Sequence, residues 1–225
     1  MRLVMLGPPA AGKGTQGKLL ASYYGVPHIS TGSMFRVNMQ AQSELGGQVR
    51  QYIESGGLVP DHLAIQVVKL RLTAEDCQNG FVLDGFPRTV KQARSLHETL
   101  TELDMHLSAA VSIQIPEFES IRRILHRRVC TQCGTNSNVQ APGAVCHVCG
   151  GALEQRPDDT PETARNRLIV FRKNMEPILA FYKEVGKLIT VNGLRPVQEV
   201  FETIIGRLAA LGAMQQAAAG KEVAE

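Results

Sequence analysis

Five short apolar runs punctuate the chain, each followed by a longer segment with helical periodicity. RLVML (2–6), VPHIS (26–30), FVL (81–83), AAVSIQI (109–115) and LITV (188–191) read as strands. Runs this short and this uniformly apolar suit strands covered on both faces. Residues 13–24, 61–73, 87–103, 117–128, 161–185 and 196–211 read as helices. Within 161–185, Ala164, Leu168, Phe171, Met175, Ile178 and Tyr182 recur at three- and four-residue intervals and predict a buried stripe. Thr160-Pro161 supplies an N-cap followed by proline at the first helical position. Strands alternating with helices predict an α/β fold with a central five-stranded parallel sheet between helical layers.

Two segments break this alternation. Residues 31–59 hold two polar, helix-like pieces, which Gly46-Gly47 and Gly56-Gly57 are expected to interrupt. Residues 129–158 hold two cysteine pairs, several glycines and no aromatic residue. Both read as small insertions on one main domain. Ala213–Glu225 is low in complexity and is expected to fray.

The 225 residues are enough to bury a real core, and 44% hydrophobic with 20% charged residues excludes a wholly disordered chain. No apolar run is long enough to cross a bilayer, and the N-terminal one is too short for a signal peptide. A cytoplasmic protein with no membrane partner is therefore expected. The net charge of +3 is too mild to argue for nucleic-acid binding. Its distribution is uneven, however. Of 16 arginines, eight fall between Arg122 and Arg172. Guanidinium forks suit phosphates and stay charged when water is excluded.

Three motifs carry chemistry. Gly7-Pro8-Pro9-Ala10-Ala11-Gly12-Lys13-Gly14-Thr15 matches G-x4-G-K between a strand and a helix. Its backbone N–H groups and the helix N-terminus favour a polyphosphate, and Lys13 can reach the outer phosphates. Asp84 closes an apolar strand, where a carboxylate can hold Mg²⁺ through water. Alone such an aspartate is more often a helix cap; after a phosphate loop, the metal role is preferred. Cys130, Cys133, Cys146 and Cys149 form two Cys-x2-Cys pairs, which in a cytosolic chain read as a metal site. Lone Cys77 reads as a buried small residue.

The ordered set GPPAAGKGTQ, ISTGSMFR (29–36), LDGFPRT (83–89) with Gln92, and QRPDD (155–159) with Arg165 and Arg167 resembles the adenylate kinase family along residues 1–211. The paired cysteines resemble the zinc-bearing lid of many bacterial members. The resemblance implies a three-layer phosphate-loop fold: core 1–29, 60–121 and 160–212, an AMP-binding insertion at 30–59, a zinc lid at 122–159 and a flexible tail at 213–225. It implies that Ala10, Ala11, Gly12, Lys13, Gly14 and Thr15 bind the ATP phosphates. Arg123 and Arg127 would meet ATP phosphates, and Asn136, Ser137 and Arg195 would lie near the ATP base. Thr31, Arg36, Gly57, Leu58, Val59, Gly85, Phe86, Pro87, Arg88 and Gln92 would hold AMP, with Gln92 reading the adenine edge and Pro87 in cis. Arg156 and Arg167 would contact the transferring group and the AMP phosphate, and Asp158 and Asp159 would help the lid close. The cofactors implied are Mg²⁺ with ATP and a structural Zn²⁺ on Cys130, Cys133, Cys146 and Cys149; the partners are ATP, AMP and ADP, on a monomer that binds no nucleic acid. Three positions depart from the family. Ala10 replaces a usual glycine, Ser33 a usual aspartate, and Asn136-Ser137 a frequent aromatic.

The residues support the same chemistry. Phosphoryl transfer asks for alignment and charge cancellation more than for covalent help. Lys13, Arg36, Arg88, Arg123, Arg127, Arg156 and Arg167 offer seven cations for it, and Arg123 and Arg127 share a helical face at i,i+4. No side-chain nucleophile is needed for in-line attack by an AMP oxygen on the ATP γ-phosphorus. Water is the competitor, and two closing insertions would exclude it. A lid of about thirty residues without aromatics is too small for its own core, so four thiolates would staple it. Other readings are a UMP/CMP or GTP-dependent monophosphate kinase, a nucleic-acid-linked ATPase with a zinc ribbon, and a metal-binding nucleotide sensor.

Overall fold

The structure, a computed structural model, describes residues 1–138 and 143–222. The lid residues 139–142 and the last three of the tail lie outside them. Five strands, β1 (Arg2–Leu6), β2 (His28–Ser30), β3 (Phe81–Asp84), β4 (Ala109–Gln114) and β8 (Leu188–Asn192), form one sheet in the order β2-β3-β1-β4-β8. Every neighbouring pair is parallel.

Alternation along the strands splits the core in two. Val4 and Leu6 of β1 join Phe81 and Leu83 on one face; Leu3 and Met5 join Val82 on the other. The first face is covered by α4 (Asp61–Leu72), α5 (Val90–Glu102) and α7 (Pro161–Glu184), through Val68, Leu96 and Ile178. The second is covered by α1 (Lys13–Tyr24) and α8 (Val197–Glu222), through Leu20, Ile204 and Leu208. Full coverage explains why the strands carry no polar alternation.

The first insertion holds α2 (Thr31–Gln40) and α3 (Glu44–Ser55). Gly46-Gly47 does not interrupt a helix, as expected from the sequence, but lies in the first turn of α3. Ser43 is the N-cap, its hydroxyl accepting from the Gly46 N–H, and the chain turns at Gln42, whose φ is +52°. Glycine is needed at 46 for space: a Cβ there would sit 2.2 Å from the Asn38 carbonyl oxygen of α2.

Helix α6 (Glu117–Leu125) is shorter than the sequence suggested and ends at His126. Arg123 and Arg127 therefore do not share a helical face. The chain leaves α6 into β5 (Arg128–Cys130), which pairs antiparallel with β6 (Asn136–Ser137) and β7 (Leu153–Glu154). Helix α5 begins at Val90 instead of Pro87, because Phe86-Pro87 is a cis peptide in a turn and Thr89 supplies the cap. Helix α7 starts at Pro161 as the sequence predicts, and the Thr160 hydroxyl accepts from the Thr163 N–H. In its stripe, Phe171 and Met175 are only half-buried, because both line a cavity. Helix α8 continues to Glu222, so the segment expected to fray is helical as far as it is described. Cys77 is fully buried.

Candidate active site

The C-terminal ends of β1, β2 and β3, where loops leave a parallel sheet, open onto a cavity of about 1590 Å³. The phosphate loop forms its floor between β1 and α1. Gly7 has φ +133°, and a Cβ there would lie 2.2 Å from the Ile113 carbonyl oxygen of β4, so only glycine allows the loop to leave the sheet here. Ala10 also has positive φ, at +56°. The glycine usual at this position is thus replaced by a residue for which the left-handed region is strained. Ser120 of α6 ties the loop down by donating to the Pro9 carbonyl at 2.6 Å.

Lys13 curls over the loop and donates from Nζ to the carbonyls of Gly7 (2.9 Å) and Pro8 (2.7 Å). Burial lowers its ammonium to about 8, against the opposing pull of the Asp84 carboxylate. Asp84 ends β3 with one carboxylate oxygen 3.3 Å from where a Cβ of Gly14 would be. The same oxygen is 3.9 Å from His28 Nε2, a buried nitrogen without a hydrogen-bond partner. Ser33 lines the cavity, its hydroxyl donating to Ser30 at 3.2 Å.

Arg36, Arg88, Arg123, Arg127, Arg156 and Arg167 all line this cavity, from five different parts of the chain. Two kinds are present. Arg127 and Arg167 are neutralised: Asp159 accepts Arg127 through Nε at 2.7 Å and Nη2 at 2.5 Å, and Arg167 Nη1 at 3.0 Å, while Asp158 accepts Arg167 Nη2. This clamp joins Arg127, just beyond α6, to Arg167 of α7 through Asp158 and Asp159. Among the described residues, Arg36, Arg88 and Arg156 have no carboxylate within 4.0 Å. Arg156 is pushed down to about 9, first by burial and then by repulsion from Arg127 and Arg36. Burial also lowers Arg36, and Arg88 is lowered by desolvation although its side chain is exposed along the cavity. Three cations on one cavity, none in direct contact with a carboxylate among the described residues, make a site for a multiply charged anion.

Arg123 lies at the mouth. It donates to Glu119 at 2.6 Å and to the Gly193 carbonyl at 3.1 Å, beside Arg195, which is exposed. Its guanidinium thus sits where the resemblance puts the ATP base. Glu119 was not singled out from sequence, although its i,i+4 spacing to Arg123 is the signal for such a pair. The hydrogen bonds from Arg122 and Arg123 hold its carboxyl down to about 2.

Of the other residues singled out, Ala10, Ala11, Gly12, Gly14, Thr15, Gly57, Leu58, Gly85, Pro87, Asn136 and Ser137 line the cavity. Thr31, Val59, Phe86 and Gln92 are buried behind its wall. Thr31 donates to the Asp84 carbonyl, Phe86 and Val59 join the core, and Gln92 is engaged by Asp61 and Arg88.

In the lid, the four cysteine sulfurs lie within 4.8 Å of one another, with Cys130–Cys149 and Cys133–Cys146 each 3.5 Å apart. A tetrahedron with metal–sulfur bonds of about 2.3 Å has edges of about 3.8 Å, so the set fits a four-thiolate ion. Cys133 and His147 also line the cavity.

No helix among the described residues is long and apolar enough to cross a membrane. A family model described as adenylate kinase matches residues 5–187. A Clostridium tetani protein named adenylate kinase is 45% identical over 215 residues, covering 94% of this chain and 100% of that protein. A Desulfitobacterium hafniense protein of the same name is 46% identical over 209 residues, covering 91% and 96%. One from Alkaliphilus oremlandii is 43% identical over 212 residues, covering 92% and 98%. With its phosphate loop, its cavity of converging guanidinium groups and this similarity along nearly its whole length, the chain belongs to the adenylate kinase family.

Proposed function

We propose that this protein transfers a phosphoryl group reversibly between MgATP and AMP, giving two ADP, by direct in-line displacement. The observation that carries this is the trio Arg36, Arg88 and Arg156, which opens onto the same cavity as the phosphate loop without a carboxylate partner. One nucleotide would use the loop and Lys13; the uncompensated guanidinium groups leave charge for a second. The family name shared by its relatives favours AMP over a pyrimidine acceptor, and a kinase over a zinc-ribbon ATPase.

Lys13 and the backbone from Ala10 to Thr15 hold the ATP phosphates, and Asp84 faces the water shell of the magnesium that arrives with ATP. Bound Mg²⁺ screens the phosphate charge. Arg36 and Arg88 hold the AMP phosphate, placing one of its oxygens behind the γ-phosphorus. Arg156 and Arg167 meet the negative charge spread over the equatorial oxygens in transfer. That oxygen is largely ionised at neutral pH, so no general base is assigned. The Arg127–Asp159–Arg167–Asp158 clamp draws the lid toward α7 and keeps water out, while 30–59 closes over AMP. A zinc ion on the four thiolates stabilises the lid fold and takes no part in the chemistry.

A coupled assay with MgATP and each of AMP, UMP, CMP, GMP and dAMP tests the reading. AMP is expected to be the best acceptor by kcat/KM; no turnover with AMP overturns the assignment.

A further inference from the structure

Gln92 is 1% exposed, and its side-chain amide is held at both ends. Its Nε2 donates to Asp61 Oδ1 at 2.8 Å, and its Oε1 accepts from the Arg88 backbone N–H at 2.7 Å. The same Asp61 oxygen accepts from the Thr89 hydroxyl at 3.1 Å, and that hydroxyl accepts from the Gln92 N–H and caps α5. Asp61 is the first residue of α4, so it stands where the starts of α4 and α5 meet. Thr89-x-x-Gln92 has the spacing of a capping box, but Gln92 reaches back to Arg88 instead of to the cap residue.

An ionised carboxylate only accepts and a backbone N–H only donates. Asp61 and Arg88 therefore demand the same amide orientation, nitrogen toward Asp61 and oxygen toward Arg88. One Nε2 hydrogen and one Oε1 lone pair remain, behind the cavity wall to which Gly85, Pro87 and Arg88 belong. This edge offers an acceptor and a donor in fixed order. A 6-aminopurine presents a donor at N6 and an acceptor at N1, which matches. A 6-oxopurine presents an acceptor at O6 and a donor at N1, which matches only if the amide is flipped.

We propose that Asp61 is a positioning residue that sets acceptor-base choice by locking the Gln92 amide in the orientation that accepts a 6-aminopurine and rejects a 6-oxopurine. The inference rests on the reading of Gln92 as the residue that meets the acceptor base. Asp61 touches no substrate. Its carboxylate adds to the bias of the Arg88 N–H: the flipped rotamer would set the amide oxygen against the carboxylate as well as a second donor against that N–H.

The test is steady-state kinetics of the full chain with ATP and either AMP or IMP, in wild type, Asp61→Ser, Asp61→Asn and Gln92→Ala. Serine suits a helix start but is too short to reach Nε2. Asparagine keeps the accepting Oδ1. Asp61→Ser is expected to raise the KM for AMP about tenfold and to lower the AMP-to-IMP ratio of kcat/KM by a similar factor, with the KM for ATP unchanged. Asp61→Asn is expected to stay within about threefold of wild type on both measures. Thermal melts accompany each variant; a loss confined to the AMP side is the signature that a merely structural role would not give. The inference is overturned if Asp61→Ser keeps the wild-type base preference, if it raises both nucleotide KM values alike, or if serine and asparagine behave the same. Should Gln92→Ala keep full AMP preference, the base-reading role of Gln92 falls, and the role of Asp61 with it. A Gln92→Ala loss with an intact Asp61→Ser preference removes only the part played by Asp61.

Discussion

Lys13 carries the most direct residue-scale consequence. Its ammonium is lowered to about 8 by burial, and a bound polyphosphate favours the charged form. Free protein above pH 8 has lost this proton, so ATP binding there must recover it. ATP affinity is expected to be flat with respect to this group below pH 8 and to fall up to about tenfold per pH unit above it. Calorimetry in buffers of different ionisation enthalpy should register proton uptake; proton release, or constant affinity to pH 9.5, would contradict this. Ala10 gives a second test. Replacing it by glycine relieves a left-handed alanine worth about 1–2 kcal/mol and loses about 0.4–1 kcal/mol through a freer unfolded chain. Ala10→Gly should therefore gain about 0.5–1 kcal/mol in urea unfolding. That Ala10 stands where the family usually has glycine was legible in the sequence; its positive φ came only with the structure. Asp61 was not legible: nothing in its neighbours along the chain tells that it meets Gln92, thirty-one residues away.

Among the elements, the strands and core helices were legible because their apolar periodicity is set by burial on both faces of the sheet. The insertions were harder, since short polar helices owe their ends to caps and to close contact between elements. Gly46-Gly47 looks like a breaker, yet Gly46 is small so that α2 and α3 can touch. Gly46→Ala should destabilise the protein by about 2–3 kcal/mol, as a Cβ meets rigid backbone; a change below 0.5 kcal/mol on urea unfolding would refute the packing described. The end of α6 was misjudged because the chain passes at once into β5, whose partners β6 and β7 are distant in sequence. In the lid, Cys146→Ser is expected to release the bound metal, seen by elemental analysis, and to lower the melting temperature by several degrees. Full thermal stability without metal would remove the stapling role.

At the scale of the whole molecule, a parallel sheet delivers the ends of β1, β2 and β3 to one cavity, and two insertions and α7 bring arginines over it. Sequence showed which arginines belong together, since their motifs are ordered; only the structure separates those clamped by Asp158 and Asp159 from those that touch no carboxylate among the described residues. Arg88→Ala or Arg156→Ala should lower kcat about 10²–10³-fold with little loss of stability, because neither neutralises a carboxylate in the resting protein. Direct transfer between two nucleotides shielded from water is the property on which every role assigned to these residues depends. Single-turnover experiments with ATP labelled at the γ-phosphorus measure it. With AMP present, the label is predicted to appear in the β-position of ADP, and release as inorganic phosphate without AMP is predicted to be at least about 10³-fold slower. Comparable phosphate release with and without AMP, or no label in ADP, would contradict it.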